Sequence, residues 1–257
     1  MGGKAFKEKY NIQRVNKEIT QAILDIIKRN LDYDHAAVGN TENVILENMT
    51  DTGDVDIIIN VDKNELFEKL DNIKACVDKR KIANNVLTVF SYGGLFYQVD
   101  FMTTTNVELG KWLMKGNPDI QGVKGAMRNM LFCMLARHTS DLCSKEDLIT
   151  TKFSLSFPGE MRFVSKSKDG TINIDERISD DKKIRSILRL STQTKAHQFD
   201  TFESVVDYLI ENDIYNSNEL EKGFEEYTSK SWVAKSMPEE LEKAIEYIRR
   251  TEVSRSS

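Results

Sequence analysis

The 257-residue sequence contains little proline, glycine or cysteine. With 3 Pro and 13 Gly, it does not have the composition of a linker-rich or collagen-like polymer. Its cysteines, Cys76, Cys133 and Cys143, are odd in number and far apart, which argues against a disulfide scaffold or a zinc site of the Cys-x-x-Cys type. Long apolar runs are also missing, because the densest stretch, 130–136, is too short to span a bilayer.

Neither sign of charge dominates the chain. The 36 basic and 41 acidic residues give a net charge of −5, which excludes a protein that coats polyanions with its whole surface. The N-terminal sequence has no apolar segment of the kind found in secretory signals. With 40% hydrophobic residues, enough for a core, the sequence predicts a soluble, cytoplasmic protein of one or two domains with no membrane partner.

The first 120 residues alternate predicted helices and strands. Apolar residues spaced by three and four between Val15 and Leu31 predict an amphipathic helix. Runs of β-branched and aromatic residues predict strands at 35–38, 54–61, 86–92 and 95–102. A helical turn is predicted at 44–48. This order indicates a mixed α/β layer.

Two local signals predict where elements begin and end. Gly93-Gly94 separates the last two strands of this region, and two residues free to take positive φ predict a hairpin. Asp62, with Glu65 three residues later, predicts the first turn of a helix that continues through Val77.

After about residue 120 the pattern becomes mostly helical. Helices are predicted at 122–138, 201–212, 217–230 and 239–250. Between them, 152–156 and 161–174 are predicted to be extended, and the second stretch to fold back at 168–170 as a β-hairpin. The predicted domains are therefore an α/β (α+β) first domain, 1–120, and a mostly helical second domain, 121–257, that carries the hairpin.

The strongest chemical signal is Asp54-Val55-Asp56 at the head of an apolar strand. Because strand side chains alternate, the two carboxylates project from the same face about 7 Å apart. Such a pair repels itself, and a hard divalent cation such as Mg²⁺ or Mn²⁺ would stabilise it. The alternative is a solvated strand end, because acidic pairs are common near turns.

Asp100 supplies a third carboxylate, within the otherwise apolar stretch 96–102. An unpaired Asp is unfavourable in such a strand. If this strand lies beside the Asp54 strand, three carboxylates converge and can hold two metal ions for an in-line phosphoryl displacement. Gly39-Asn40, at the end of the preceding predicted strand, is either a simple turn or a place where backbone N–H groups approach a phosphate.

In this order, Gly39-Asn40, Asp54-Val55-Asp56 and Asp100 resemble the motifs of the DNA polymerase β-type nucleotidyltransferase superfamily. The family usually has Gly-Ser or Gly-Gly at the first motif, and the resemblance covers about 15–135. It implies a small mixed sheet with helices behind it and two Mg²⁺ (or Mn²⁺) ions held by the three carboxylates. It also implies transfer of a nucleoside monophosphate from a triphosphate such as ATP, with release of pyrophosphate, in which the third carboxylate helps to activate the acceptor hydroxyl.

The predicted helix after the third Asp carries Lys124 and Arg128, four residues apart on one face. The superfamily often follows its core with a helix whose basic residues reach the triphosphate. The Lys-Gly-x-x-Arg-Asn stretch at 124–129 also resembles nucleotidyltransferase-like proteins encoded by phages, which would act in the host cytoplasm. The resemblance thus adds Lys124 and Arg128 to Gly39 and Asn40 as candidate nucleotide-binding residues. The alternative is a solvated helix face.

The predicted function is a metal-dependent nucleotidyltransferase with Asp54, Asp56 and Asp100 as its catalytic and metal-binding residues. The acceptor is an RNA 3′ end, a protein or a small molecule, and the RNA end is favoured because basic residues are spread through the second half. Two alternatives stay open. A two-metal nuclease or phosphohydrolase would need a Lys or His near the carboxylates, and a nonenzymatic nucleotide-binding relative would act as an interaction module.

Overall fold

A computed structural model describes residues 5–82, 85–146, 150–156, 159–167 and 169–253. The chain divides into two units, Met1–Asp119 and Ile120–Ser257. This division falls within one residue of the position at which the sequence pattern changes. Both units combine helices with strands, so the predicted α+β fold class is confirmed.

In its described residues, the first unit contains seven strands and four α-helices, and several of its strands follow one another directly. In chain order they are β1 (Val15–Asn16), α1 (Lys17–Asn30), β2 (His35–Ala37), α2 (Gly39–Ile45), β3 (Asp51–Thr52), β4 (Val55–Ile59), α3 (Lys63–Lys69), a 3₁₀ turn (Leu70–Asn72), β5 (Cys76–Ile82), β6 (Asn85–Tyr92), β7 (Leu95–Thr103) and α4 (Val107–Leu113). Five of these strands form one sheet in the order β2-β4-β7-β6-β5, and β1 pairs with β3 beside it. β4 and β7 are parallel, whereas the other neighbours in the sheet are antiparallel.

The two faces of the five-stranded sheet differ in chemistry. On one face, buried side chains such as Ile57 and Phe101 pack against α1 and α3 to form the main apolar core of the unit. The opposite face carries a smaller apolar cluster that includes Ile58 and Met102. Because side chains alternate along each strand, Asp56 lies on this second face, together with the residue opposite it on β7.

Both the hairpin predicted at Gly93-Gly94 and the helix start predicted at Asp62 are confirmed in the first unit. Gly93 and Gly94 both have positive φ, 59° and 78°, and join β6 to β7. The Asp62 side chain accepts hydrogen bonds from the first backbone N–H groups of α3. However, the helix ends at Lys69, and Val77 lies on β5 instead. The prediction of a helix through Val77 was wrong because the backbone of this segment pairs with β6, which overrides a local helical spacing.

The position of one helix also differs from its prediction. α2 begins at Gly39, directly after β2, whereas a turn was predicted only at 44–48. α4 was not predicted from the sequence; it begins after Asn106, whose side chain accepts the Leu109 N–H.

The second unit combines helices with a small antiparallel sheet. Its elements are α5 (Gly125–Glu146), β8 (Thr150–Ser156), β9 (Glu160–Lys166), β10 (Ile172–Ile178), α6 (Asp181–Ile187), a 3₁₀ turn (Ala196–Phe199), α7 (Phe202–Glu211), α8 (Ser217–Thr228), α9 (Trp232–Lys235) and α10 (Pro238–Val253). The sheet order is β10-β9-β8, so the predicted hairpin is confirmed as β9-β10 and gains a third strand. The turn predicted at 168–170 begins at Lys168, which lies outside the described residues.

The helices near the end of the chain confirm the sequence prediction closely. Thr201 and Asn216 form capping boxes at the starts of α7 and α8, and Pro238 is the first residue of α10. In the described ranges, no helix is both long and apolar enough to cross a membrane. All three cysteines are free, as predicted.

Candidate metal centre

Three carboxylates meet at the second face of the five-stranded sheet. Asp54 immediately precedes β4, Asp56 lies within it, and Asp100 is the residue directly opposite Asp56 on the parallel strand β7. One oxygen from each of the three carboxylates lies within 4.8 Å of the others. The predicted convergence is confirmed. Three hard oxygen donors at this spacing suit a divalent cation such as Mg²⁺ or Mn²⁺, although the identity and number of ions stay predictions.

Burial and mutual repulsion dominate the electrostatics of this cluster. Burial raises the pKa of the Asp56 carboxyl well above its usual range, and the charges of Asp54 and Asp100 raise it further. Burial also raises the pKa of Asp100 to about 7, with a further rise from Asp54, whereas the hydrogen bond from Gln98 and the charge of Arg80 lower it. Without a cation, the cluster therefore retains protons at a pH where isolated carboxyls are ionised.

Gln98 contacts the cluster directly, although the sequence analysis did not single it out. It is 2% exposed and lies two residues before Asp100, on the same face of β7. Its Nε2 donates to both oxygens of Asp100, at 2.9 and 3.0 Å. The sequence did contain a signal for it, because Gln98 is a polar residue in an apolar stretch and lies two residues before Asp100, the spacing that places two side chains on one face of a strand.

Thr41 connects α2 to the strand that carries two of the carboxylates. Its completely buried hydroxyl accepts the Asp56 N–H at 2.8 Å and lies 3.5 Å from the Asp54 carbonyl oxygen, to which it donates. The Val38 N–H donates to the Asp56 carbonyl at 3.1 Å. The backbone of the Asp54-Val55-Asp56 segment is thus held from the side of α2.

Gly39 lies beside the carboxylates at the start of α2. Its φ is 60°, a conformation that favours glycine, and a Cβ atom at this position would lie 3.6 Å from Oδ2 of Asp56. Its N–H donates to the Met114 carbonyl at 3.1 Å, which occupies one of the backbone donors predicted to face a phosphate. Asn40, the next residue, is exposed. The backbone at Gly39 and Asn40, called the Gly39 turn below, therefore lies next to the carboxylate of Asp56.

A segment after α4 supports this turn, and sequence reasoning did not find it. A Cβ atom at Gly116 would lie 2.7 Å from the carbonyl oxygen of Gly39, so a side chain at position 116 would displace the turn. The buried Asn43 of α2 donates to the Asn117 carbonyl at 2.7 Å. These contacts join residues more than 70 positions apart, a separation at which the sequence contains no local signal.

Lys124 and Arg128 belong to the second unit, whereas the carboxylates belong to the first. Lys124 pairs with Glu240 of α10, with 3.1 Å between Nζ and Oε1. Arg128 is completely buried, and its guanidinium donates to the main-chain carbonyls of Phe199 and Asp200. Burial lowers its pKa to about 10.

These contacts correct one expectation for this helix. Arg128 does not lie on a solvated face, because its guanidinium is enclosed among carbonyl groups of its own unit. The hypothesis that Lys124 and Arg128 bind a triphosphate stays a prediction. The internal hydrogen bonds give Arg128 a structural task independent of nucleotide.

Two arginines that the sequence analysis did not select act on the carboxylates. Arg80, within the basic stretch of β5, lies in the same row across the sheet as Asp100, and its charge lowers the pKa of that carboxyl. Arg14 pairs with Asp51 at 2.6 Å and also interacts electrostatically with Asp54. The positive charges that act on the carboxylates are thus supplied by one arginine before Asp54 in the sequence and by another between Asp56 and Asp100.

No family model matches this chain, and no curated protein matches it.

Proposed function

We propose that this protein is a metal-dependent nucleotidyltransferase, which moves a nucleoside monophosphate from a triphosphate to a hydroxyl acceptor and releases pyrophosphate. The observation that carries the proposal is the meeting of Asp54, Asp56 and Asp100 next to the Gly39 turn. A solvated strand end does not account for a buried Asp54 beside partly buried Asp56 and Asp100, whose pKa values are raised by burial and by the neighbouring carboxylates. The arrangement also agrees with what the resemblance to the DNA polymerase β-type superfamily implies.

Each carboxylate has a defined task in this proposal. Asp54, Asp56 and Asp100 hold Mg²⁺, which when bound stabilises charge on the triphosphate and favours ionisation of the acceptor hydroxyl. Asp100 receives the hydroxyl proton. The acceptor oxygen then forms a bond to the α-phosphorus, and the bond from this phosphorus to the bridging oxygen of pyrophosphate breaks.

The start of α2 provides the contact for the outer phosphates. Gly39 allows close approach because it has no side chain, while its own N–H is engaged by Met114. We therefore assign the phosphate contact to Asn40, which is exposed at this position. An Asn amide can donate to a phosphate oxygen much as the more usual Ser hydroxyl does.

Transfer accounts for the site better than hydrolysis. A two-metal nuclease could use the same carboxylates, and Asp100 could accept a proton from water as it does from the acceptor hydroxyl. The Gly39 turn, however, would have no task in a nuclease. For the acceptor, we retain the RNA 3′ end as the first candidate.

The proposal is tested by incubating the protein with each α-labelled nucleoside triphosphate and Mg²⁺ or Mn²⁺. Total RNA and a protein extract serve as separate acceptor pools, and released pyrophosphate is measured in parallel. Asp56→Asn preserves the size of the side chain but removes its charge. The matched control is Asp51→Asn, which makes the same chemical change in the partly exposed ion pair with Arg14. We expect labelled RNA with wild type and Asp51→Asn, and no label with Asp56→Asn.

Other outcomes would separate the alternatives. Full activity of Asp56→Asn would refute the assignment of the metal-binding carboxylates. Release of nucleotides from RNA without incorporation of label would favour a nuclease. Metal-dependent binding of triphosphate, with no turnover on either acceptor pool, would favour a nonenzymatic relative.

A further inference from the structure

The buried Gln98 amide is held at both ends. Its Nε2 donates to both oxygens of Asp100, and its Oε1 accepts the Ala5 N–H at 3.0 Å. Because a backbone N–H can only donate, the oxygen of the amide must face Ala5 and the nitrogen must face Asp100. Rotation of the amide by 180° would break both sets of hydrogen bonds.

The position of Nε2 limits how Asp100 can bind a cation. Its distances of 2.9 and 3.0 Å to the two carboxylate oxygens place it between them. This is the position from which a cation would chelate both oxygens, so Asp100 can offer a single oxygen at a time to an ion beside Asp54 and Asp56. Mg²⁺ demands near-ideal octahedral geometry, and such a site is sensitive to the number and direction of its oxygen ligands.

We propose that Gln98 is a positioning residue of the metal centre, which holds Asp100 as a single-oxygen ligand and is itself oriented by the backbone of Ala5. This inference rests on the proposed function, because it concerns the same carboxylates. It adds two components that the motifs do not contain: an amide on β7 and the backbone near the beginning of the chain.

The segment that orients Gln98 is docked by contacts of its own. In this N-terminal segment (residues 5–13), Phe6 is buried, and the Arg80 guanidinium lies over its ring, with Cζ 4.6 Å from the centroid. The rings of Tyr10 and Phe96 have centroids 5.0 Å apart. None of these contacts uses the Ala5 N–H, so its loss alone should release Gln98 without detaching the segment.

Mn²⁺ binding to the full-length protein, measured by isothermal titration calorimetry, tests this inference without any nucleotide. Gln98→Leu removes the amide at similar volume. We expect it to weaken Mn²⁺ binding by roughly 10-fold or more, as is typical when a partner of a metal ligand is removed. Ala5→Pro removes the N–H that orients Gln98, although it also fixes φ at this position, and should weaken binding by a smaller factor. Ala5→Gly, which keeps the N–H, should bind as wild type.

Melting temperatures without metal distinguish positioning from a merely structural role. A lower melting temperature of Gln98→Leu with unchanged Mn²⁺ affinity would overturn the inference, as would failure of the wild type to bind Mn²⁺. If Gln98→Leu does not fold, equal Mn²⁺ affinities of Ala5→Pro and Ala5→Gly would overturn it. If Gln98→Leu weakens Mn²⁺ binding while the wild type transfers no nucleotide, the inference stands and the proposed function fails.

Discussion

The two units differ in whether their enclosed charges find partners of opposite polarity within the unit. In the second unit, Arg128 and Arg185 are completely buried, and each donates to main-chain carbonyl oxygens of the same unit. The accepting carbonyls belong to Phe199, Asp200, Ser191 and Thr194. In the first unit, Asp54, Asp56 and Asp100 concentrate charge of a single sign, so they raise the pKa values of Asp56 and Asp100.

This difference indicates which buried charges serve the fold and which serve a ligand. A buried cation that donates to several carbonyls is compensated in part within the chain, and removing it leaves those carbonyls without a donor. Three neighbouring carboxylates need protons or a cation from outside the chain. Substitutions that break these arrangements should therefore differ in effect, and the largest loss of stability is expected at Arg128.

Replacing Arg128 by Met should destabilise the protein strongly. The substitution leaves one buried and one partly buried carbonyl without this donor, and we expect the free energy of unfolding to fall by roughly 2–5 kcal/mol. Urea denaturation measures this change. Arg177→Met is the control in the same unit, because Arg177 is exposed in its ion pair with Glu160 and should contribute less than about 1 kcal/mol. Unchanged stability of Arg128→Met with a higher KM for triphosphate would instead support the predicted nucleotide contact.

The carboxylates should make the metal-free protein less stable at neutral than at acidic pH. The pKa of Asp100 is 3.8 in an unperturbed chain and about 7 when folded, so the folded state binds more protons between these values. The contribution of Asp100 to stability is therefore most favourable below about pH 4 and falls as the pH rises towards 7, by up to about 4 kcal/mol.

Unfolding in EDTA across this pH range, compared with unfolding in Mg²⁺, measures the effect. Asp100→Asn should reduce the pH dependence in EDTA and raise stability above pH 7, because it removes a buried like charge. It should also reduce stabilisation by Mg²⁺. An identical pH dependence in wild type and Asp100→Asn would contradict the role of the buried carboxylates.

A side chain at Gly116 should disturb the turn beside Asp56. Gly116→Ala places a Cβ atom 2.7 Å from the Gly39 carbonyl oxygen, and the backbone must move. We expect a loss of about 1–3 kcal/mol in unfolding free energy and reduced transfer activity. Gly223→Ala, whose Cβ would approach only the flexible end of Met134 at 3.2 Å, is the control and should change both measurements less. A reversed order would contradict the assigned role of the Gly116 contact.

The smallest effect is expected at Lys124. Its ion pair with Glu240 is more than half exposed on the Lys124 side, so Lys124→Ala should change the unfolding free energy by less than about 1 kcal/mol. The KM for triphosphate, compared between Lys124→Ala and Glu240→Gln, separates loss of the pair from loss of a nucleotide contact. A higher KM in Lys124→Ala alone would support the predicted nucleotide contact. Equal KM values in the two variants would contradict this prediction.

Local signals in the sequence were sufficient for many elements and for the carboxylates. The capping residue Asp62 and the positive-φ pair Gly93-Gly94 act through neighbours a few residues away, so they could be recognised without the fold. Strand alternation also predicted that Asp54 and Asp56 lie close together, and they do, although Asp54 immediately precedes β4. The helix predicted to reach Val77 failed for the converse reason, because pairing of β5 with β6 determined its structure.

Residue type and short-range geometry were enough to predict the three carboxylates, the position of Gly39 and most helix starts from the sequence. Long-range packing established that β4 and β7 are parallel neighbours with Asp56 opposite Asp100. It also decided that Gln98 links Asp100 to Ala5, and that Gly116 packs on Gly39. These contacts join segments far apart in the chain, and they form only because burying the apolar faces of the sheet and helices brings those segments together.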